Sequence, residues 1–456
     1  MSVNQTINEM MAKSKKALDS LKSYSQEQVD ALCRACCLSI RENAELLARE
    51  AIDETRLGSF EHKIIKNTAF PDNLWNALKG EKSVGVIRED KANEVIYVAQ
   101  PKGVIVCVIP TTNPTITVMG NAAAAIKGRN TCIFCPHPRA KNVTKHSMDI
   151  INAAFKKLGA PDNILQCVDN ISIETTQAFM KAADVIVATG GPGLVKAAYS
   201  SGKPALGVGA GNVQGIIDRD ADYKLAVDQI VMGRSWDNGQ LCACNQSAIM
   251  PRDKAPEIIK LFQEAGAHYV NDPTEIQKLR DTIFPDGKHN PDLVGQPAAF
   301  IAEKAGIKVS GDVKVLLVQL DDKKIGADDI LCSEKMNPVI SAIPYDTLDQ
   351  ALHICNTNLY LHGAGHTACV YSNNIENVKK LALDMPVCRI LVNQDGVSAV
   401  NTFGNNGMEV TTTLGCGSWG GNSIDENLSY KHLINVTQVS SVIPGRTAPS
   451  YDEIWG

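Results

Sequence analysis

The chain has little that would take it out of water. No apolar run reaches the roughly 18 residues that a membrane-spanning helix needs, so no span is expected. No basic block exists either: 45 Lys and Arg stand against 50 Asp and Glu, a net charge of −5. A sequence-independent nucleic-acid binder needs a cationic face to displace counterions, so nucleic acid is not an expected partner. The opening MSVNQTINEMMAKSKK lacks the apolar centre of a secretion signal. Repeats, low-complexity tracts and long Pro/Gly/Ser linkers are missing as well. Cysteine is not scarce, but the 14 cysteines fall at irregular spacings. Without a sign of export they read as reduced thiols, and a cytoplasmic location is expected. What is present is globular: 456 residues, 44% apolar and 21% charged, enough for about two or three domains.

The first ~60 residues read as helical, with Ser25 and Gln28 forming a capping-box start and Val29, Leu32, Cys36 and Ile40 keeping to one face. AELLAREAIDE continues the pattern, with Gly58 as the expected stop. Alternation in SVGVIREDKANEVIYVAQ predicts a hairpin over 84–100. From Lys102 onward, short apolar strands alternate with helices. VIVCVI (104–109) has the continuous apolar character of a strand covered on both faces. The series runs through NTCIFC, NILQCVD and DVIVATGG, closed by PALGVGAG and GIID. This alternation predicts a parallel sheet with helices on both faces, a Rossmann-like domain. A second α/β segment is expected from about 225 to 425, and 428–456 reads as a tail.

One cysteine is placed differently from the rest. Asp237, Asn238 and Gly239 form a turn, so Cys242 lies just past a break and just before the apolar SAIM. A loop there can present a thiol, but a free cysteine titrates near about 8.5 and needs N–H groups or a cation to become a nucleophile. On spacing alone thirteen other cysteines compete. Asn113, in TTNP, reads on its own as an Asx/Pro turn. Cys132 and Cys135 spell C-x-x-C beside His137, yet strand residues alternate between faces and no second ligand pair is at hand, so no metal is expected. Gly415 to Gly420 spell G-x-G-x-x-G with no strand ahead of them to open a βαβ unit. His62, His146, His268 and His289 read as solvated turn residues.

Eight stretches in order along the chain carry a family likeness: PTTNPT (110–115), FCPHPRAK (134–141), VATGGPGLVKAAYSSGKPALGVGAGN (187–212), DNGQLCACNQS (237–247), SEKMNPV (333–339), GAGHT (363–367), TTTLGCGSWGGNSIDENLSYKHLIN (411–435) and the closing EIWG. On them the sequence resembles the aldehyde dehydrogenase superfamily, specifically its coenzyme-A-acylating branch. That branch holds the acylating succinate-semialdehyde dehydrogenases and the aldehyde dehydrogenase half of bifunctional aldehyde–alcohol dehydrogenases.

The resemblance implies an α/β aldehyde dehydrogenase fold: a dinucleotide-binding domain (1–83 and 101–213), a catalytic thiol domain (214–427), and an oligomerisation arm and tail (84–100 and 428–456). The arm would join the hairpin to TQVSSV (437–442) and pair across subunits of a homodimer or homotetramer. It makes Cys242 the nucleophile and Cys244 a bystander. Thiolate attack on an aldehyde creates an oxyanion that needs donors; by resemblance these are the Cys242 N–H and Asn113. Hydrolytic relatives place that asparagine one residue earlier, where Thr112 stands here. His366, in GAGHT, matches a histidine proposed as the base. For NAD or NADP, the resemblance implies Thr111, Thr112, Asn113, Pro114 and Thr115 along the nicotinamide and ribose, and Gly191 at the pyrophosphate. It sets Gly209 near the nicotinamide, Glu334 on its ribose and Leu414 closing the site. Cys135 replaces the adenosine-ribose lysine of hydrolytic relatives, which leaves NAD versus NADP open, and Arg139 is a candidate for a 2′-phosphate.

Hydrolytic relatives activate water with a glutamate heading E-L-G-G-K. Here Gly207 takes that position and cannot accept a proton, so the implied acyl acceptor is coenzyme A as co-substrate. The expected aldehyde is succinate semialdehyde, with acetaldehyde and sulfoacetaldehyde as alternatives and hydrolytic oxidation as a further one. Arg234 and Arg389 are candidates for a distal carboxylate.

Overall fold

Residues 3–456 are described by the computed structural model. Four helices lead the chain: α1 (Val3–Leu21), α2 (Gln26–Glu42), α3 (Ala44–Thr55) and α4 (Phe60–Leu78). The capping box at α2 is formed in both directions, Ser25 Oγ accepting from the Gln28 N–H and Gln28 Oε1 from the Ser25 N–H. Helix α3 stops before the expected glycine, on Arg56 in the left-handed conformation. Gly58 is used for close approach instead: a Cβ there would lie 2.1 Å from Asp237 Oδ1.

The predicted hairpin is β1 (Gly85–Asp90) with β2 (Val95–Pro101). Five parallel strands follow: β3 (Val104–Ile109), β4 (Thr131–Pro136), β5 (Leu165–Cys167), β6 (Val185–Thr189) and β7 (Ala205–Val208), in the order β5-β4-β3-β6-β7. Helices α5 (Pro114–Lys127), α6 (Lys141–Lys157), α7 (Ile173–Ala182) and α8 (Pro192–Tyr199) connect them. Strand β3 is buried end to end because both faces are covered. Ile105 and Cys107 pack into the core under α2 and α5, while Val104, Val106 and Val108 pack into the core on the opposite face, with Phe179 and Met180 of α7. Cys132 and Cys135 divide the same way, one in each core, so their thiols point apart.

The segment read as closing this series opens the next one. Strand β8 (Val213–Ile217) leaves the first sheet and lies between β9 (Asn245–Pro251) and a later strand. Helix α9 (Tyr223–Ser235) links β8 to β9, and β10 (Ala267–Val270), β11 (Val315–Gln319), β12 (Val339–Tyr345), β13 (Gly365–Tyr371) and β14 (Val387–Val392) complete a seven-stranded parallel sheet. Its order is β10-β11-β12-β9-β8-β13-β14. β15 (Ile434–Ser440) then pairs antiparallel with β2, giving the sheet β1-β2-β15. The start of the expected tail is not loose: Leu428, Tyr430 and Leu433 are buried in the α2/α5 core. No helix among the described residues is long and apolar enough to cross a membrane.

In the first sheet the strand order reverses between β3 and β6. Open α/β sheets bind nucleotides in the crevice beyond the carboxyl ends at that point, and it is there that the cavity described next begins.

Candidate active site

A cavity of about 1040 Å³ collects the loops after β3, β6 and β7 together with the loop that carries Cys242 into β9. Thr111, Thr112, Asn113, Gly191, Gly209, Cys242, Glu334 and Leu414 all line it. Three expected site residues do not. Pro114 and Thr115 already belong to α5 and are buried, the Thr115 hydroxyl donating to Asn67 Oδ1 at 2.7 Å. His366 lies inside β13, fully buried, its Nδ1 3.0 Å from Thr367 Oγ1.

Burial, reinforced by the Arg389 charge, pulls the His366 pKa down to about 3, so the ring is neutral at any working pH. His362 lines the cavity in its place. The His366 shift has a consequence for stability. Below its unfolded pKa of 6.5, the unfolded chain takes a proton that the fold refuses until about 3, so this contribution is lost as pH falls. Glu334 acts in the opposite sense: raised from 4.5 to about 7, it favours the fold below 4.5 and that gain is lost as pH rises through 7. Between 4.5 and 6.5 the two slopes oppose each other. H366Q removes one of them, so its stability relative to the parent should improve on acidification by about 1.4 kcal/mol per pH unit. Denaturant midpoints at pH 4.5, 5.5 and 6.5 check this; parallel curves for the two proteins would contradict it.

The loop that carries Cys242 owes its shape to three consecutive left-handed residues, Asp237 (φ 48°), Asn238 (φ 55°) and Gly239 (φ 68°). Asp and Asn tolerate that conformation better than other side chains, but it still costs roughly 1–3 kcal/mol at each non-glycine position. The Asp237 carboxylate holds it in place. It accepts from the Ser59 N–H at 2.8 Å, from Gln240 Nε2, from Lys63 Nζ at 3.3 Å and from Lys66 Nζ. Burial alone would raise the Asp237 pKa, but the two ammoniums outweigh it and hold the group at about 2. Burial draws Lys63 down to about 8, with Asp237 opposing.

His62 belongs to the same cluster. Its ring stacks on Trp236 with centroids 4.4 Å apart, and Nδ1 accepts from the Asp237 N–H at 3.0 Å. His289 lines the cavity, with Nε2 2.7 Å from the Lys335 carbonyl. His146 pairs with Glu50 from helix α6 at 2.8 Å, and His268 sits in β10. None of the four is a solvated turn residue: His62 and His146 lie within α4 and α6, His268 within β10, and His289 packs edge-on against Phe284. Lys63 and Lys66 escaped the sequence reading. The available signal was two lysines three apart among the apolar residues of FEHKIIKN, on one face of a helix.

Of the fourteen cysteines only Cys167, Cys242 and Cys388 are partly exposed, and of these Cys242 alone lines the cavity. Burial, then the Glu334 charge, pushes its thiol well above the ordinary range, with Arg389 offsetting part. Cys244 is fully buried away from the cavity, its Sγ 3.8 Å from the Trp236 carbonyl. Gly211 packs so close that a Cβ would lie 1.9 Å from the Cys242 carbonyl oxygen, and its N–H donates to Glu334 Oε1 at 3.1 Å. Glu334 is the only carboxylate among the described residues that line the cavity. Burial raises it to about 7, against the pull of the Gly211 N–H, Arg234 and Lys335. It stands half-buried on the cavity wall, and neighbouring Lys335 is fully buried, with Nζ donating to the Leu331 carbonyl at 2.7 Å.

Gly207 lies in β7 with its Cβ direction against Val195 and Tyr199, and carries no proton acceptor. Neither arginine proposed for a distal carboxylate reaches the cavity wall. Arg389 donates to the carbonyls of His366 (2.8 Å) and Gly415 (2.6 Å), while Arg234 is fully buried, next to Glu334 and Cys244.

A dinucleotide fits the residues that are present. Gly191 is the N-cap of α8 with no side chain of its own to bond the first helical N–H groups, and those groups favour an anion. A Cβ on Gly191 or Gly209 would meet nothing within 4 Å, so the backbone is open to close approach at both. Cys135 is fully buried, and Arg139 donates to the Thr55 carbonyl at 3.2 Å; neither lines the cavity.

A thiol just past a turn of left-handed residues lines a cavity that runs into the crevice where open α/β sheets bind nucleotides, the arrangement of a nucleotide-dependent oxidoreductase. The chain belongs to the aldehyde dehydrogenase family, whose profile matches residues 2–278 and 325–432. It is an acylating aldehyde dehydrogenase, an oxidoreductase acting on aldehydes. It is 47% identical over 456 residues, the whole of both chains, to the succinate-semialdehyde dehydrogenase (acetylating) of Clostridium kluyveri. Its fold matches the acetylating aldehyde dehydrogenase of Geobacillus thermoglucosidasius with a TM-score of 0.93 at 33% identity, covering 98% of each chain. The propionaldehyde dehydrogenase of Rhodopseudomonas palustris, solved with propionyl-CoA bound, matches with a TM-score of 0.85 at 27% identity, over 95% of this chain and 94% of that one. Enzymes of this kind use NAD(P) and coenzyme A.

Proposed function

We propose that the chain oxidises succinate semialdehyde to succinyl-coenzyme A, reversibly, with Cys242 as the nucleophile. The observation that carries the reading is that one thiol of fourteen lines the cavity while position 207 holds no carboxylate to activate water. Cys242 rests as a thiol; once its proton has left to solvent, the thiolate adds to the aldehyde carbon, and the carbonyl oxygen becomes an oxyanion facing the Cys242 N–H and the Asn113 side chain. A nicotinamide dinucleotide, bound along Gly191 and Gly209, supplies the hydride acceptor. What remains on Cys242 is a thioester; coenzyme A gives its thiol proton to solvent and attacks as the thiolate, releasing acyl-coenzyme A and the Cys242 thiolate. The whole-length likeness to the Clostridium kluyveri protein supports succinate semialdehyde as the aldehyde.

The same reading includes a cytoplasmic homodimer or homotetramer built on the β1-β2-β15 arm. Val436 and Val439, on opposite faces of β15, and Val442 just beyond it stand exposed, leaving apolar surface for a partner subunit to cover. The deciding experiment measures kcat/KM over neutral and charged C2–C4 aldehydes, with coenzyme A and either NAD or NADP, while following acyl-CoA. Succinate semialdehyde should lead acetaldehyde by at least ~10-fold, the discrimination that a few well-placed contacts supply. Equal use of both would overturn the substrate.

A further inference from the structure

Lys66 lies one helical turn beyond Lys63 on α4, and both side chains are buried. Its ammonium reaches two loops at once. One bond goes to the Asp237 carboxylate in the turn ahead of Cys242; the other, of 2.5 Å, goes to Asn113 Oδ1 in the loop after β3. An ammonium only donates. The amide oxygen of Asn113 is therefore the atom that faces Lys66, and Nδ2 is turned away from it. Asn113 is the N-cap of α5, yet its side chain bonds none of that helix's N–H groups. Among the described residues Lys66 is thus the one partner that fixes the amide. Lys66, Asn113 and Cys242 line the same cavity.

We infer that Lys66 is a positioning residue for the oxyanion. Holding Asn113 by its oxygen, it presents Nδ2 to the oxyanion that forms when Cys242 attacks, and its bond to Asp237 ties that amide to the thiol loop. The inference rests on the reading of Asn113 as an oxyanion donor. The physical need is plain: an amide left free flips, and a flipped amide turns its oxygen, a repulsive partner, toward the new negative charge. A bound ammonium excludes that flip. Two lysines against one carboxylate also leave the cluster with a surplus positive charge, which favours an oxyanion nearby.

The test is a double-mutant cycle on the full-length enzyme with NAD, coenzyme A and saturating aldehyde, alongside thermal midpoints. N113A should lower kcat by ~10²–10³-fold, the effect of removing one oxyanion donor. K66M should lower kcat comparably, with the aldehyde KM within about threefold, and K66M/N113A should be no worse than N113A. K66R, still a pure donor, should recover part of the loss. A K66M enzyme within about threefold of the parent, or losses that multiply in the double variant, would overturn the proposal. Should K66M not fold, the same cycle with K66Q decides, its kcat effect vanishing in the N113A background if the proposal holds and persisting if it does not. An unimpaired N113A would sink the role of Asn113 and that of Lys66 with it. A parent that forms NADH but no acyl-CoA would sink the reaction reading alone.

Discussion

C242A should lose aldehyde oxidation by at least ~10⁴-fold in kcat while keeping its fold, because the covalent route has no second nucleophile to fall back on. Cys167 and Cys388, the other partly exposed cysteines, do not line the cavity, and the remaining thiols are buried. In the parent enzyme, aldehyde and dinucleotide supplied without coenzyme A should leave one acyl group on Cys242, seen by peptide mass spectrometry. An acyl group on any other cysteine, or a C242A enzyme within ~100-fold of the parent, would remove the nucleophile from the account.

Turnover without coenzyme A should stall after about one equivalent of NADH per subunit, with hydrolysis running ~10²–10³-fold below the coenzyme-A-dependent rate. A positioned general base contributes ~10²–10⁴-fold, and Gly207 provides none. The competing water activator is Glu334, the carboxylate on the cavity wall. Its Oε1 is taken by the Gly211 N–H, and with a pKa raised to about 7 it is partly protonated near neutrality. Stopped-flow NADH formation decides the matter. A burst followed by a slow phase supports a protected thioester, and linear turnover at the coenzyme-A-dependent rate would mean that Glu334 or another group activates water after all.

Much of the site was legible from residue order. The break formed by Asp237, Asn238 and Gly239 separated Cys242 from thirteen competitors only once the neighbouring stretches matched a family; from spacing alone it was one thiol among many. The glycines at 191, 207 and 209 were likewise marked by the resemblance, and of these Gly191 and Gly209 line the cavity. His366 went the other way. The motif marked it, but β13 buries its ring completely, off the wall that His362 reaches. GIID shows the same limit at the level of topology, since an apolar strand pattern does not say which of two parallel sheets the strand will join.

By itself the sequence determined the alternating α/β architecture, the capping box at Ser25, the continuous burial of β3 and the lack of a carboxylate at 207, because each follows from local pattern or from which atoms a residue owns. Only the tertiary structure decided which residues share the cavity. Lys63 and Lys66 meet Asp237 across 174 and 171 residues of chain, and Lys66 meets Asn113 across 47. Contacts of that span depend on how helix α4 packs against two separate loops, and no periodicity along the chain encodes that packing.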